Sequence, residues 1–497
     1  VPPKKRLKRV LIANRGEIAV RVIRACRELG IESVAVFSDA DQHAQHALLA
    51  DYAYHIGPSP ASESYLRGEY IIEVAKEAGC DAIHPGYGFL SESANFARKI
   101  EENGLIFVGP SPDSMDLMGD KLSARNTANN QGVPTTPGVF EPISDLIEAK
   151  QIANEIGYPV ILKAAAGGGG KGMRLVNSEA ELEDSFERAV SEVEKSFGDR
   201  AVFVEKFIAN GKHIEVQVMA DSHGNVVHLY ERDCSVQRRY QKVIEETPAP
   251  TLSDELREEM GEAAVAVAKA CNYRSAGTIE FIFDLDENKF YFLEMNTRIQ
   301  VEHPVTEMVT GIDLVREQLL VAGGAKLSFI QSDVVQRGAS IECRIYAEDP
   351  DNNFAPSTGR ITHLDFPTGS GIRIDTGVVE SDEVSRFYDP MLMKLVVWDR
   401  DRKHAIERML GALRELVIVG VTTPIAFHIE ALGDPLFLDG SYSTKFIEQM
   451  ADREVLDVDL EVLAIASALG HQAEQDRLSG LSNGSGFHDE ARWRWSQ

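Results

Sequence analysis

Two short apolar runs, Arg9-Val10-Leu11-Ile12-Ala13 and Ser33-Val34-Ala35-Val36-Phe37, flank a stretch from Glu17 to Leu29 whose apolar residues recur with helical spacing. That stretch stops at Gly30, a residue suited to ending a helix. A second helical stretch, Tyr70 to Ala78, is closed by Gly79 and leads into the strand-like Asp81-Ala82-Ile83. Strands separated by helices of this length cannot be hairpin partners; they pair in parallel, with each helix as a crossover. Such sheets take ligands beyond the carboxyl ends of their strands. Asn14-Arg15-Gly16 and His84-Pro85-Gly86-Tyr87-Gly88 fall at those ends. Gly86-Tyr87-Gly88-Phe89-Leu90-Ser91 lacks the third glycine of a dinucleotide fingerprint, and the first βα turn carries only Gly16, which argues against a nicotinamide or flavin fold.

The 497 residues suffice for about three domains, and the pattern changes twice more along the chain. Prolines and glycines between Gly132 and Pro142 mark a linker. Tyr158-Pro159-Val160-Ile161-Leu162-Lys163, then Gly167-Gly168-Gly169-Gly170-Lys171-Gly172, then Met173-Arg174-Leu175-Val176 read as strand, glycine loop, strand. Strand-like runs at 201–207, 213–220, 277–283 and 289–294, the last two around Asp286-Glu287-Asn288, predict an antiparallel sheet with helices. From about Gly338 a strand-rich unit leads to a helix over 404–416, and past Ala451 one amphipathic stretch runs into a Gly- and Ser-rich segment at 480–486.

Lys and Arg number 51 against 78 Asp and Glu, a net charge of −27, which excludes a nucleic-acid binder working by phosphate neutralisation. No apolar run approaches the roughly 18 residues of a membrane span, and no secretory signal pattern is visible. The five cysteines are widely spaced without a C-x-x-C pair, so neither a disulfide framework nor a structural zinc site is expected; a cytoplasmic setting is.

Four successive glycines let backbone N–H groups approach an anion with no Cβ in the way. Lys171 is followed by Gly172 rather than Ser or Thr, so this is not a Walker loop, and a plain flexible hairpin would read the same. Lys163 favours the phosphate reading, since a lysine on a buried strand needs an anionic partner. In Phe290-Tyr291-Phe292-Leu293-Glu294-Met295-Asn296-Thr297-Arg298, the polar Glu294, Asn296 and Arg298 lie two apart, and on a continuing strand they share one face. Glu280 interrupts a second apolar strand at 278–283. Paired as a hairpin, the two carboxylates and the Asn oxygen converge on an all-oxygen site suited to Mg²⁺ or Mn²⁺ bridging nucleotide phosphates. The alternative is a buried salt-bridge network between Glu294 and Arg298. Glu302, in Gln300-Val301-Glu302-His303-Pro304, is a candidate general base near the cationic Arg298. His213 and Glu215, two apart on a strand, either line a pocket or form a solvated face.

The 158–172 run and the 293–299 strand resemble the two signature segments of the ATP-grasp carboxylases. The stretches 13–19, 84–91, 231–239 and 294–307 narrow the resemblance to biotin carboxylase, over about residues 8 to 450 in motif order. The resemblance implies an α/β plus α+β architecture. It comprises a Rossmann-like parallel α/β domain at 1–118, an ATP-grasp fold at 119–337 with a mobile glycine-rich lid at about 135–206, and a mainly antiparallel β domain at 338–450. The 451–497 extension reads as a docking element, a linker or a disordered end.

The implied reaction is ATP-dependent carboxylation, by bicarbonate, of biotin held by a carrier protein. It is the first half-reaction of an acetyl- or propionyl-CoA carboxylase, or alternatively of a pyruvate or other 2-oxo acid carboxylase, or else the chain is a different ATP-grasp ligase. Carried over by resemblance, Lys121, Lys163, Gly169, Gly170, Glu205, Lys206, Phe207, Ile208 and His213 would hold ATP, and Glu280, Glu294 and Asn296 two Mg²⁺ or Mn²⁺ ions. Lys242, Arg298, Gln300 and Val301 would bind bicarbonate, Glu302 would deprotonate it, Arg344 would stabilise the biotin enolate, and Tyr87 would line the biotin path. The implied partners are a biotin carboxyl carrier protein or domain and a carboxyltransferase subunit, with the chain a homodimer or part of a larger complex. Tyr240 stands where the family is expected to have His. Met393-Lys394-Leu395 superficially resembles a biotinyl-lysine motif but lies in an apolar run that matches the carboxylase itself.

Overall fold

The structure, a computed structural model, describes residues 6–139, 143, 145–164, 173–197 and 202–451. The first strand, β1 (Arg9–Ile12), feeds α1 (Gly16–Glu28), and β2 (Glu32–Ser38), β3 (Tyr52–Gly57), β4 (Ala82–His84) and β5 (Ile106–Phe107) follow. They form a parallel sheet in the order β3-β2-β1-β4-β5. The helix α1 forms because Ile18, Ala19, Val22, Ile23, Ala25 and Cys26 recur on one side and are buried, while Arg24, Arg27 and Glu28 face solvent. Gly30, at φ +66°, ends it in the left-handed geometry that favours glycine. Asn14, just past β1, donates at 2.7 Å to the carbonyls of both Pro85 and Tyr87, tying the two strand-end loops together.

After α2 (Lys121–Asn130), β6 (Val160–Ala164), β7 (Met173–Val176) and β8 (Val202–Lys206) make a small antiparallel sheet with β6 in the middle. The glycine run between β6 and β7 lies outside the described residues, as does 452–497.

Apart from six strands of two or three residues that pair off between Glu348 and Val419, the further strands are β9 (Gly211–Ala220), β10 (Val226–Arg238), β11 (Gln241–Thr247), β12 (Ser275–Asp284), β13 (Lys289–Asn296), β14 (Ala339–Tyr346), β15 (Ile372–Thr376) and β16 (Met391–Asp399). These eight, β9 to β16, form one antiparallel sheet ordered β13-β12-β9-β10-β11-β14-β16-β15. It runs unbroken from the expected central unit into the expected C-terminal one, through the β11–β14 pairing of Ile244 with Cys343 and Glu245 with Glu342. Strand alternation divides its side chains. Ile214, Val216, Val218, Ile279, Phe281, Phe283, Phe290 and Phe292 pack with Met260, Ala264 and Val267 of the helix Asp254–Ala270; a bulge in β13, where Glu280 pairs with Glu294 but Phe281 with Phe292, reverses the alternation there, so that Met295 joins this face and Glu294 leaves it. Burying each such large side chain contributes about 1.5–3 kcal/mol, so this face anchors the opposite one, which carries His213, Glu215, Thr278, Glu280 and Glu294. A short helix, α3 (His303–Thr310), begins directly after Glu302.

Gly377, beyond β15, sits against the start of α1: a Cβ there would meet the Glu17 backbone nitrogen at 2.5 Å and the Gly16 carbonyl carbon at 2.6 Å. The five cysteines are buried and unpaired. No helix among the described residues is long and apolar enough to cross a membrane.

Candidate active site

The antiparallel pairing of β12 with β13 sets Glu280 opposite Glu294 and Thr278 opposite Asn296, so both carboxylates and the amide stand on one face. Glu280 is the hub. Its Oε1 accepts from Asn296 Nδ2 at 2.8 Å, Gln300 Nε2 at 2.9 Å and Lys242 Nζ at 2.9 Å, and its Oε2 lies 3.1 Å from His213 Nε2. Burial would raise its pKa; Lys242 and His213 outweigh that and hold it well below the ordinary carboxylate value. Glu294 stands at the solvent-facing rim, where the surrounding protein and then Glu280 raise its pKa. Two carboxylates and an amide oxygen are hard donors, and they fit a magnesium-like ion. Lys121, the first residue of α2, lies close enough to Glu294 to draw its pKa back down.

Lys242, on β11, donates to three carboxylates, Glu215 at 2.5 Å, Glu302 at 2.7 Å and Glu280 at 2.9 Å. Burial alone would push this lysine toward neutrality, but the three carboxylates raise its pKa well above the usual value. Glu302 receives Lys242 on one oxygen and Arg344 on the other at 3.0 Å. Burial disfavours its charge, yet Lys242, Arg344 and Arg232 more than compensate and hold it far below the carboxylate range. A carboxylate so stabilised is a weak base. An anion that drew Lys242 or Arg344 to itself would remove that stabilisation and raise the basicity of the carboxylate. Arg344, on β14, is braced by Glu245 at 2.6 Å, whose own pKa burial pushes up to about 7.

The strand does not continue to Arg298. Regular pairing ends at Asn296, and Arg298 is presented from the following loop, so it does not share the strand face with Glu294 as its spacing predicts. It donates to Asn296 Oδ1 at 3.2 Å and to the Ile299 carbonyl at 3.3 Å and pairs with Glu92 at 3.1 Å, and the alternative Glu294–Arg298 network is replaced by this Glu92 pair. Gln300 bridges Glu280 and Arg232, and the Val301 carbonyl accepts from Lys394 at 2.9 Å. His213 and Glu215 line the site rather than a solvated face; Glu215 is buried between Lys242 and Arg232. Tyr87 has a buried hydroxyl with no hydrogen-bond partner.

In the 205–208 segment, Glu205 binds Arg125 and, at 3.2 Å, Thr136, while the Lys206 ammonium caps the Gly157 carbonyl at 3.0 Å. Phe207 lies 5.7 Å from the Lys445 ammonium, and Ile208 packs beside Gly211. Lys163 is on β6 beside β8, opposite Phe203. Gly169 and Gly170 lie outside the described residues.

Arg232 went unmarked as a site residue. It is fully buried and binds Glu215 at 2.5 Å, Gln217 at 2.7 Å, Thr306 at 3.0 Å, Gln300 at 3.1 Å and Thr278 at 3.2 Å. The signal was Glu231-Arg232-Asp233, three consecutive charges inside a strand that must bury both faces. Glu245 and Glu92 were missed as well. Tyr240 is exposed, and with Arg239 it forms a two-residue hairpin turn with both residues at positive φ, 65° and 51°.

Three family models match in succession: the biotin carboxylase N-terminal domain over residues 6–115, the carbamoyl-phosphate synthase L chain ATP-binding domain over 120–330, and the biotin carboxylase C-terminal domain over 342–449. Biotin carboxylase 1 of Bacillus subtilis is 52% identical over 89% of this chain and 98% of its own. The methylcrotonoyl-CoA carboxylase subunit alpha of Dictyostelium discoideum is 50% identical over 95% of this chain and 68% of its own. The biotin carboxylase domain dimer of Hydrogenobacter thermophilus 2-oxoglutarate carboxylase, solved with magnesium ADP, ADP and bicarbonate, superimposes with a TM-score of 0.85 at 48% identity, covering 90% of this chain and 98% of that one. With these matches and this cluster of acids and cations, the chain belongs to the biotin carboxylase family of ATP-grasp ligases.

Proposed function

We propose that the chain carboxylates carrier-held biotin from bicarbonate at the expense of ATP, and that the residues carried over from the family resemblance perform it. The observation that carries this reading is Glu302 held between Lys242 and Arg344, with Lys242 shared between it and Glu280. Bicarbonate entering beside Lys242, Arg298, Gln300 and the Val301 backbone competes for Lys242, and Glu302 takes its proton. Each charge-assisted contact to the resulting anion contributes about 1.5–3 kcal/mol. The oxyanion attacks the γ-phosphorus and ADP leaves, giving carboxyphosphate, which breaks down to CO₂ and phosphate. Glu280, Glu294 and Asn296 would hold Mg²⁺, which would supply positive charge against the phosphates. Lys121, Lys163, the 205–208 segment and His213 hold the nucleotide. The released phosphate takes the N1 proton of biotin while Arg344 donates to the ureido oxygen along a path lined by Tyr87, stabilising the resulting charge as an oxyanion hole does, and N1 then attacks CO₂ to form carboxybiotin.

Lys394 does not carry the biotin: its side chain is fully buried on β16. The carboxyl acceptor we assign is an acyl-CoA, supported by likeness to the methylcrotonoyl-CoA enzyme, with a 2-oxo acid as the competing reading, supported by the 2-oxoglutarate carboxylase neighbour. The test is ADP release by the purified chain. Release should require bicarbonate and rise with free biotin; release indifferent to bicarbonate defeats the proposal. A panel of acyl-CoA and 2-oxo acids, assayed with co-purifying subunits, decides the acceptor.

A further inference from the structure

Met393-Lys394-Leu395 is left without a task by the reaction above, yet Lys394 is among the most deeply buried cations of the protein. An ammonium cannot remain there without partners. Three separate segments supply them. Glu17, in the first turn of α1, lies 3.2 Å away; Asp375, on β15, lies 3.7 Å away; and the Val301 carbonyl accepts at 2.9 Å.

The two carboxylates are unequal. Asp375 also receives Arg373 through two bonds of 2.9 and 2.8 Å, whereas Glu17 has no other ion-pair partner among the described residues. Gly377, two residues beyond Asp375, lies close to the backbone of Gly16 and Glu17, at the start of the helix that carries the second carboxylate. The Val301 carbonyl belongs to the loop between β13 and α3, which has no strand partner. Its backbone is held instead by single contacts such as this one and the Gln300 carbonyl against His303 Nδ1 at 2.7 Å. Gln300 and Glu302, on either side of Val301, are the side chains that meet Glu280, Lys242 and Arg344.

We propose that Lys394 is a positioning residue: anchored by Glu17 and Asp375, it holds the Val301 carbonyl so that Gln300 and Glu302 stand at their working distances from Lys242 and Arg344. Lys394 touches no substrate. The inference rests on Glu302 being the base that acts on bicarbonate, and it couples the first turn of the N-terminal α/β unit to that base through one ammonium group.

The test pairs Glu17→Gln with Lys394→Met, which removes one buried anion and one buried cation together and so preserves charge balance while leaving Val301 without its donor. Wild type and variant are compared by melting temperature, by calorimetric affinity for ATP, and by KM for bicarbonate in ADP release. The double variant should fold and bind ATP with affinity within about twofold of wild type, while KM for bicarbonate rises about tenfold, the factor that corresponds to one lost hydrogen bond. Glu17→Gln alone, which keeps the volume and the Val301 bond, should raise that KM by about threefold, a share of the same bond. A folded variant with unchanged bicarbonate KM overturns the proposal, as does ATP affinity falling in step with it, which would mark a structural role only. Wild type run alongside separates the two layers: if it cleaves ATP without bicarbonate, the reading of Glu302 falls and this inference with it, whereas bicarbonate dependence in wild type with no shift in either variant overturns the role of Lys394 alone.

Discussion

Replacing Glu302 by glutamine keeps the shape of the side chain and one carbonyl acceptor while removing the charge and the basicity. The surroundings tolerate this. Lys242 retains Glu215 at 2.5 Å and Glu280 at 2.9 Å, and Arg344 retains Glu245 at 2.6 Å, so neither cation is left without a buried anion. The stability cost is therefore that of weakening two charge-assisted bonds, about 1–3 kcal/mol, rather than that of stranding a charge. The chemical cost is larger. A positioned general base contributes about 10²–10⁴ in rate, so kcat for bicarbonate-dependent ADP release should fall by that factor, about 3–5 kcal/mol of barrier. The nucleotide side is untouched, because Glu280, Glu294 and Asn296 keep their arrangement through the Asn296–Glu280 bond of 2.8 Å. Calorimetric ATP affinity should stay within about twofold of wild type, the scatter expected when no direct contact is removed. Equal losses in ATP affinity and turnover would mean that Glu302 is structural, and an undiminished kcat would remove it from the reaction.

Chelating divalent metal should abolish ADP release while leaving the melting temperature of the free protein unchanged, because Lys242 and His213 balance the Glu280 charge without an ion; a large drop in melting temperature would show that the acidic cluster depends on metal to fold. Glu307 is buried, which alone would raise its pKa, but Arg21 and Arg373 outweigh that and lower it from 4.5 to about 2. Its stabilising contribution is therefore complete above pH 4.5 and is lost as the pH falls toward 2, so melting curves of Glu307→Gln should decline less across that window than those of wild type, and parallel declines would refute the linkage. Gly377→Ala should destabilise by about 1–3 kcal/mol, read as a lowered urea midpoint, because a Cβ there would lie 2.5 Å from the Glu17 backbone nitrogen; an unchanged midpoint would show that α1 can give way at no cost.

Much of this molecule is legible where one local rule governs. Apolar runs separated by helical stretches ending at Gly30 and Gly79 account for the parallel sheet, and the two-residue spacing of Thr278 with Glu280 and of Glu294 with Asn296 puts these side chains on one face, although the bulge that turns Glu294 away from the Phe290 and Phe292 side is not visible in the spacing. The same alternation misleads one step further, because Thr297, Arg298 and Ile299 look like strand residues and nothing local shows that pairing stops at Asn296. Once the strand ends, Arg298 is free to meet Glu92, a contact between distant segments that spacing cannot encode. Arg344 meets Glu245 across 99 positions, and Lys394 meets Glu17 and Val301 from three parts of the chain. Such networks are chosen by how strands order in the eight-stranded sheet, which the pattern of a single strand does not contain. Arg232 differs: three charges in a row on a buried strand were a visible conflict with local rules, and conflicts of that kind mark functional sites.

The central claim is that bicarbonate itself attacks the terminal phosphate of ATP with Glu302 as its base. Supplying ¹⁸O-labelled bicarbonate and weighing the released phosphate by mass spectrometry tests it directly. If carboxyphosphate forms, an oxygen that came from bicarbonate stays on phosphorus when CO₂ departs, so each phosphate released in early turnovers carries a single heavy oxygen. Unlabelled phosphate, with the new oxygen traced instead to solvent in a companion experiment in H₂¹⁸O, would make water the nucleophile and contradict the account.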